Sequence, residues 1–176
     1  MANVEPVDLK SKIRDVPDFP KKGILFRDIM PLLQDPEALR FAVDRLAEFA
    51  VGRKVDVVLG AESRGFILGS ALAYTLNAGF VCARKPGRLP WKTISEAYEL
   101  EYGTDSLEIH EDAIKPGMNV LVHDDLLATG GTAQAKCRLA EKSGGIVVGL
   151  AFLVELADLR GRDKLAGRDV FSLITY

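Results

Sequence analysis

Cysteine is scarce: Cys82 and Cys137 are the two in 176 residues, and they stand far apart with no C-x-x-C spacing. That pattern indicates neither a zinc site nor a disulfide framework, and it suits a reduced compartment. A basic surplus is also missing, since 23 Lys and Arg against 25 Asp and Glu leave a formal charge of -2. Such a balance argues against a general nucleic-acid binder, so charged partners should be small. No apolar run approaches membrane-spanning length, and acids and Pro6 occupy the N-terminal stretch where a signal peptide needs an apolar core. The expectation is a soluble, cytoplasmic protein with no membrane and no nucleic-acid partner. Neither the Walker pattern G-x-x-x-x-G-K-[ST] nor the dinucleotide fingerprint G-x-G-x-x-G occurs.

With 48% hydrophobic positions, the chain can bury a core as one domain. Aliphatic runs alternate with helical patterns, which predicts an α/β fold: an open, largely parallel twisted sheet flanked by helices. "DPEALRFAVDRLAEFA" offers Asp35 as N-cap, Pro36 at the first helical position, and Leu39, Val43, Leu46 and Phe49 at helical spacing. Strands are expected at 55–60, 80–85, 119–123 and 146–154, with an edge strand at 169–174. A helix over "RGFILGSALAYTLNAG" should end at Gly79, and a crossover helix from about Thr132 to Lys142 should stop at Gly144 and Gly145. About 1–34 reads as an N-terminal arm or hood. About 86–117, rich in Pro, Gly and charge without a sustained period, reads as a lid insertion or small hairpin.

"VLVHDDLLATGGT" (120–132) departs most from ordinary strand and turn chemistry. Ligands of an open parallel sheet sit beyond the carboxyl ends of its strands, and Asp124 and Asp125 reach such an end. Adjacent carboxylates there can accept hydrogen bonds from vicinal sugar hydroxyls or help hold a hydrated divalent cation. "ATGGT" then opens a helix, so backbone N–H groups, the hydroxyls of Thr129 and Thr132, and the positive helix end converge as an anion cradle. Gly130 and Gly131 leave room for close backbone approach. A phosphate cradle beside a diol site describes a ribose 5-phosphate. The plainer alternative, acids capping a helix above a glycine turn, suits a lone acid pair better than this whole pattern.

The same thirteen residues resemble the phosphoribosyl diphosphate (PRPP) signature of type I phosphoribosyltransferases, with His123 where an aliphatic is usual. "FPKKGILFRDIMPLL", "GAESRGF", "ARKPGRLP", "YELEYGTDSLEI" and "LVELADLRGRDKL" extend the resemblance over nearly the whole chain, to the adenine-specific branch of that family. The resemblance implies the reaction adenine + PRPP → AMP + diphosphate, with Mg²⁺, in a cytoplasmic homodimer. It implies that Asp124 and Asp125 bind the ribose hydroxyls and Ala128, Thr129, Gly130, Gly131 and Thr132 the 5-phosphate. Glu62, Ser63 and Arg64 would form the diphosphate loop with a cis peptide between Glu62 and Ser63, Glu62 standing where aspartate is commoner. Arg84, Lys85 and Arg88 would complete that subsite, Arg88 partly from the partner subunit. Phe26 would stack on adenine, Leu156 would close the other side, and backbone groups of Leu25 and Arg27 would read its N1 and amino edge. Glu101 would act as catalytic base on the lid with Tyr102 beside it, and Mg²⁺ would be held mainly through PRPP and water. His123 reads as structural and His110 as solvated.

Two other classes stay open at this stage: a PRPP- or purine-binding regulator of the same fold, and a hypoxanthine or guanine transferase. The first lacks a helix-turn-helix extension here, and "ILFRD" argues against the second.

Overall fold

The computed structural model describes residues 7–99 and 103–176. Near the N-terminus β1 (Arg14–Pro17) and β2 (Leu25–Asp28) form an antiparallel pair, followed by the short helix α1 (Met30–Gln34). The helix α2 (Pro36–Ala50) starts as its cap predicts, with the Asp35 carboxylate accepting from the N–H groups of Glu37 and Ala38 at 3.0 and 3.1 Å. Its innermost positions are Ala38, Ala42, Val43, Leu46, Ala47 and Ala50, whereas Leu39 and Phe49 are only half-buried. Alanines on the inner face let α2 approach its neighbours closely, so the larger side chains flank that face.

The main sheet has five parallel strands in the order β4-β3-β7-β8-β9: β3 is Val57–Ala61, β4 Gly79–Ala83, β7 Asn119–Leu127, β8 Ile146–Glu155 and β9 Val170–Thr175. The expected open parallel sheet, with the C-terminal strand at an edge, is present. The helices α3 (Arg64–Thr75) and α2 pack with Leu121 and Ala151 on one face. The helix α4 (Gly131–Lys142) packs with Val120 and Val122 on the other. Alternation along β7 therefore feeds both layers. On that second face lies the antiparallel hairpin β5 (Thr93–Glu99) and β6 (Thr104–His110).

Three expectations need correction. The helix α3 ends at Thr75, not at Gly79. Asn77 takes the left-handed turn at φ 53° while the Ala78 N–H bonds to the Ala73 carbonyl at 2.9 Å, and Gly79 already begins β4. β7 does not stop at His123 but runs through both acids to Leu127. His110 is not solvated, because it lies half-buried on β6 and its Nε2 has no partner among the described residues.

Sheet topology marks one point for a ligand. The β3–β7 pairing ends at Gly60↔His123, whereas β7–β8 pairing continues to Leu127↔Glu155. Beyond His123 one edge of β7 is thus released from β3. The crossovers through α3 and α4 depart in opposite directions at this point, the topological switch where open α/β sheets bind ligands.

Candidate functional site

Asp124 and Asp125 occupy that released edge, and each has its own cation. Arg64, in the first turn of α3, places Nε 2.8 Å from Asp125 Oδ2. Lys136, one turn into α4, places Nζ 2.7 Å from Asp124 Oδ2 and 2.6 Å from the His123 carbonyl. Burial and the neighbouring Asp124 carboxylate outweigh Arg64 and push Asp125 up to about 7. Beside them His123 turns its ring into the core, with Nδ1 2.9 Å from the Ala151 carbonyl and Nε2 unpartnered among the described residues. Burial lowers its pKa to about 4, so it is a neutral structural imidazole near neutral pH, in keeping with the sequence reading.

The acids line a cleft of about 240 Å³ whose walls include Glu62, Arg64, Lys85 and the loop Ala128–Thr132. Gly130 caps α4 in the left-handed region at φ 79°. A Cβ there would meet the Gly161 carbonyl oxygen at 2.3 Å, and one on Gly131 would meet the Glu99 carbonyl oxygen at 3.0 Å. Packing against the segment after β8 therefore requires glycine at 130, and β5 leaves little room for a side chain at 131. Ligand access alone did not suggest this.

Glu62 and Ser63 join β3 to α3 through a cis peptide bond. The Glu62 carboxylate gathers the basic residues: it accepts from the Lys85 N–H at 2.6 Å, from Arg84 Nε and Nη2 at 3.1 and 3.0 Å, and lies 3.4 Å from Arg88 Nη1. Burial pushes its pKa up, but these donors outweigh it and hold the carboxyl below its ordinary range. Lys85 also pairs with Asp105 of β6 at 3.1 Å. Ser63 is exposed at the start of α3. Arg88 stands in this cluster from its own chain.

At the opposite rim, the Phe26 ring lies 5.0 Å below the Arg64 guanidinium and edge-on to Phe19. The Arg27 guanidinium stacks 3.9 Å from the Tyr176 ring and pairs with Asp15. Leu156 follows β8 and packs half-buried with the N-terminal elements, while Leu25 is exposed. These four are not lining residues of the acid-lined cleft; Arg64 links the two regions. Glu101 and Tyr102 lie outside the described residues.

Sequence reasoning missed Lys136, Tyr98 and Asp105. Tyr98 lines the cleft, and burial raises its pKa. The signal for Lys136 was a lysine set among Ala133, Cys137 and Ala140 on the inward stripe of α4.

A parallel sheet with an acid pair and an anion loop at its switch point defines a phosphoribosyl-transferring class of protein. The Phosphoribosyl transferase domain model matches residues 32–174. The chain belongs to the adenine phosphoribosyltransferase family. It is 59% identical over 170 residues to the adenine phosphoribosyltransferase of Thermotoga maritima, covering 97% of this chain and 98% of the relative. The solved adenine phosphoribosyltransferase of Thermoanaerobacter pseudethanolicus superposes with a TM-score of 0.93 at 54% identity, covering 96% and 98% of the two chains. That of Saccharomyces cerevisiae, complexed with an imino-altritol bisphosphate and adenine, gives 0.88 at 40% identity over 94% and 96%.

Proposed function

We propose that this protein salvages adenine by transferring the 5-phosphoribosyl group from PRPP to N9, releasing diphosphate and forming AMP. The observation that carries this reading is the convergence, on one cleft, of a charge-compensated acid pair, a helix-capping anion loop and the basic residues Arg64 and Lys85 beside Glu62. In this reading Asp124 and Asp125 accept the ribose hydroxyls, and the N–H groups and hydroxyls of Ala128–Thr132 hold the 5-phosphate. Arg64, Arg84, Lys85 and Arg88 meet the diphosphate, whose negative charge grows as its bond to C1 breaks, while the acids tolerate the cationic ring. Glu62 organises Arg84, Lys85 and Arg88, which offset its own charge. Phe26 stacks on adenine with Leu156 opposite, and the backbone at Leu25 and Arg27 reads its N1 and amino edge. Glu101 receives the N7 proton and Tyr102 accompanies it on the lid, roles carried over by resemblance.

Among the described residues no cluster of three or more carboxylate, His or Cys ligands could cage a metal. Asp124 and Asp125 would hold a hydrated Mg²⁺ through its waters. Such an ion would neutralise diphosphate charge. Exposed Ile67 and Tyr74 on the outer face of α3 favour a homodimer. Among the described residues no helix is long and apolar enough to cross a membrane, and a cytoplasmic location is part of the proposal.

The test is an ultraviolet assay with PRPP, Mg²⁺ and each purine in turn. Turnover is expected with adenine, and hypoxanthine should fall orders of magnitude lower because its N1 and C6 groups reverse the hydrogen-bond sense. Comparable kcat/KM for both bases would overturn the base assignment. PRPP binding without turnover of any purine would indicate a regulator.

A further inference from the structure

We propose that Lys136 is a positioning residue for the phosphoribosyl donor, holding the Asp124 carboxylate in place and neutralising it from inside the protein without entering the cleft. The inference rests on the reading of Asp124 and Asp125 as the acceptors of the ribose hydroxyls.

Lys136 is fully buried, with 0% of its side chain exposed, on a helix face otherwise built from Ala133, Cys137 and Ala140. Solubility does not account for a lysine there. Stability accounts for it poorly, since replacing a buried ion pair by apolar side chains of similar volume is often neutral or stabilising. What the lysine does is local. Its ammonium bonds one Asp124 oxygen at 2.7 Å, while the other accepts the Asp125 N–H at 3.1 Å, so both carboxylate oxygens are held by the protein. Asp124 itself lines the cleft.

Charge gives the second reason. PRPP is a polyanion, and two bare adjacent carboxylates on the floor of its site would repel it. Arg64 balances Asp125 from α3, and Lys136 balances Asp124 from α4. The groups facing the pair are His123 on β7, Arg64 from α3, Lys136 from α4 and, across the cleft, Glu62, Lys85 and Tyr98. Without Lys136, the two adjacent carboxylates share the single guanidinium of Arg64.

The test compares wild type, Lys136→Met, Lys136→Gln and Asp124→Asn as full chains. Lys136→Met should raise KM for PRPP at least about ten-fold with KM for adenine little changed. Lys136→Gln, which keeps a donor, should recover part of the KM effect. KM for PRPP within twofold of wild type in Lys136→Met overturns the proposal, as does loss of folded protein in both lysine variants. Asp124→Asn separates the two levels of argument. Unchanged PRPP affinity in that variant defeats the site reading itself, whereas a loss there without a loss in Lys136→Met defeats only the role of the lysine.

Discussion

His123 couples folding to pH in a direction set by its burial. Its folded pKa of about 4 lies below the ordinary 6.5. A lowered histidine contributes stability that is present above its ordinary pKa and is lost as pH falls through 6.5 toward 4, a swing of about 3 kcal/mol for such a shift. His123→Leu, similar in volume and unable to ionise, should flatten that decline. Melting temperatures at pH 7 and 4.5 measure it: wild type should lose several degrees more than the variant, and parallel declines would show that the imidazole is not the group responsible. The residue's structural role was legible because an imidazole within an aliphatic strand run has few other uses. Lys136 was not, because a lysine in a helix ordinarily marks the solvated face, and only its carboxylate partner, twelve positions earlier in the chain, gives it a reason to be inside.

Two elements meet back to back behind the anion loop. A Cβ on Gly161 would meet the Ala128 carbonyl oxygen at 2.2 Å, and one on Gly130 would meet that of Gly161 at 2.3 Å. The segment after β8 is itself anchored by Arg162, which forks onto Glu155 with two bonds of 2.7 Å. Gly161→Ala should therefore displace the anion loop without touching any ligand. AMP affinity should fall at least about ten-fold while adenine affinity falls less, as measured by calorimetry; equal losses would mean general misfolding. Such interlocks were invisible in the sequence, since "RGR" carries no periodic signal and the contact joins segments some thirty residues apart. The sheet was legible because each strand is a short aliphatic run, whereas the β5–β6 hairpin appeared only as an insertion, a lid or small hairpin, with no strand bounds. An inward position of β5 holds Glu96, buried through Arg138 at 3.2 Å and through Lys142, and this breaks the alternation that would announce a strand. The end of β7 was misplaced for a like reason: carboxylates signal a strand's end unless cations from two helices come to meet them.

For the molecule as a whole, the sheet order separates partners that are neighbours in space. β3 ends at Ala61, and β7, which covers its second edge, begins at Asn119. β3 is buried along its entire length, from Val57 to Ala61. On the ribosome, at roughly 5–20 residues per second, that apolar strand waits on the order of 3–12 seconds with one edge open before its partner is made. Nascent chains of this length should recruit holding chaperones, and a fragment comprising 1–118 should be less soluble than the whole chain. A soluble fragment with strand content in circular dichroism would show that the first half-sheet protects itself. Placing the ligand cleft at the switch point thus has a biosynthetic cost: the junction that creates the cleft cannot form until β7, which begins at Asn119, has followed β3 out of the ribosome.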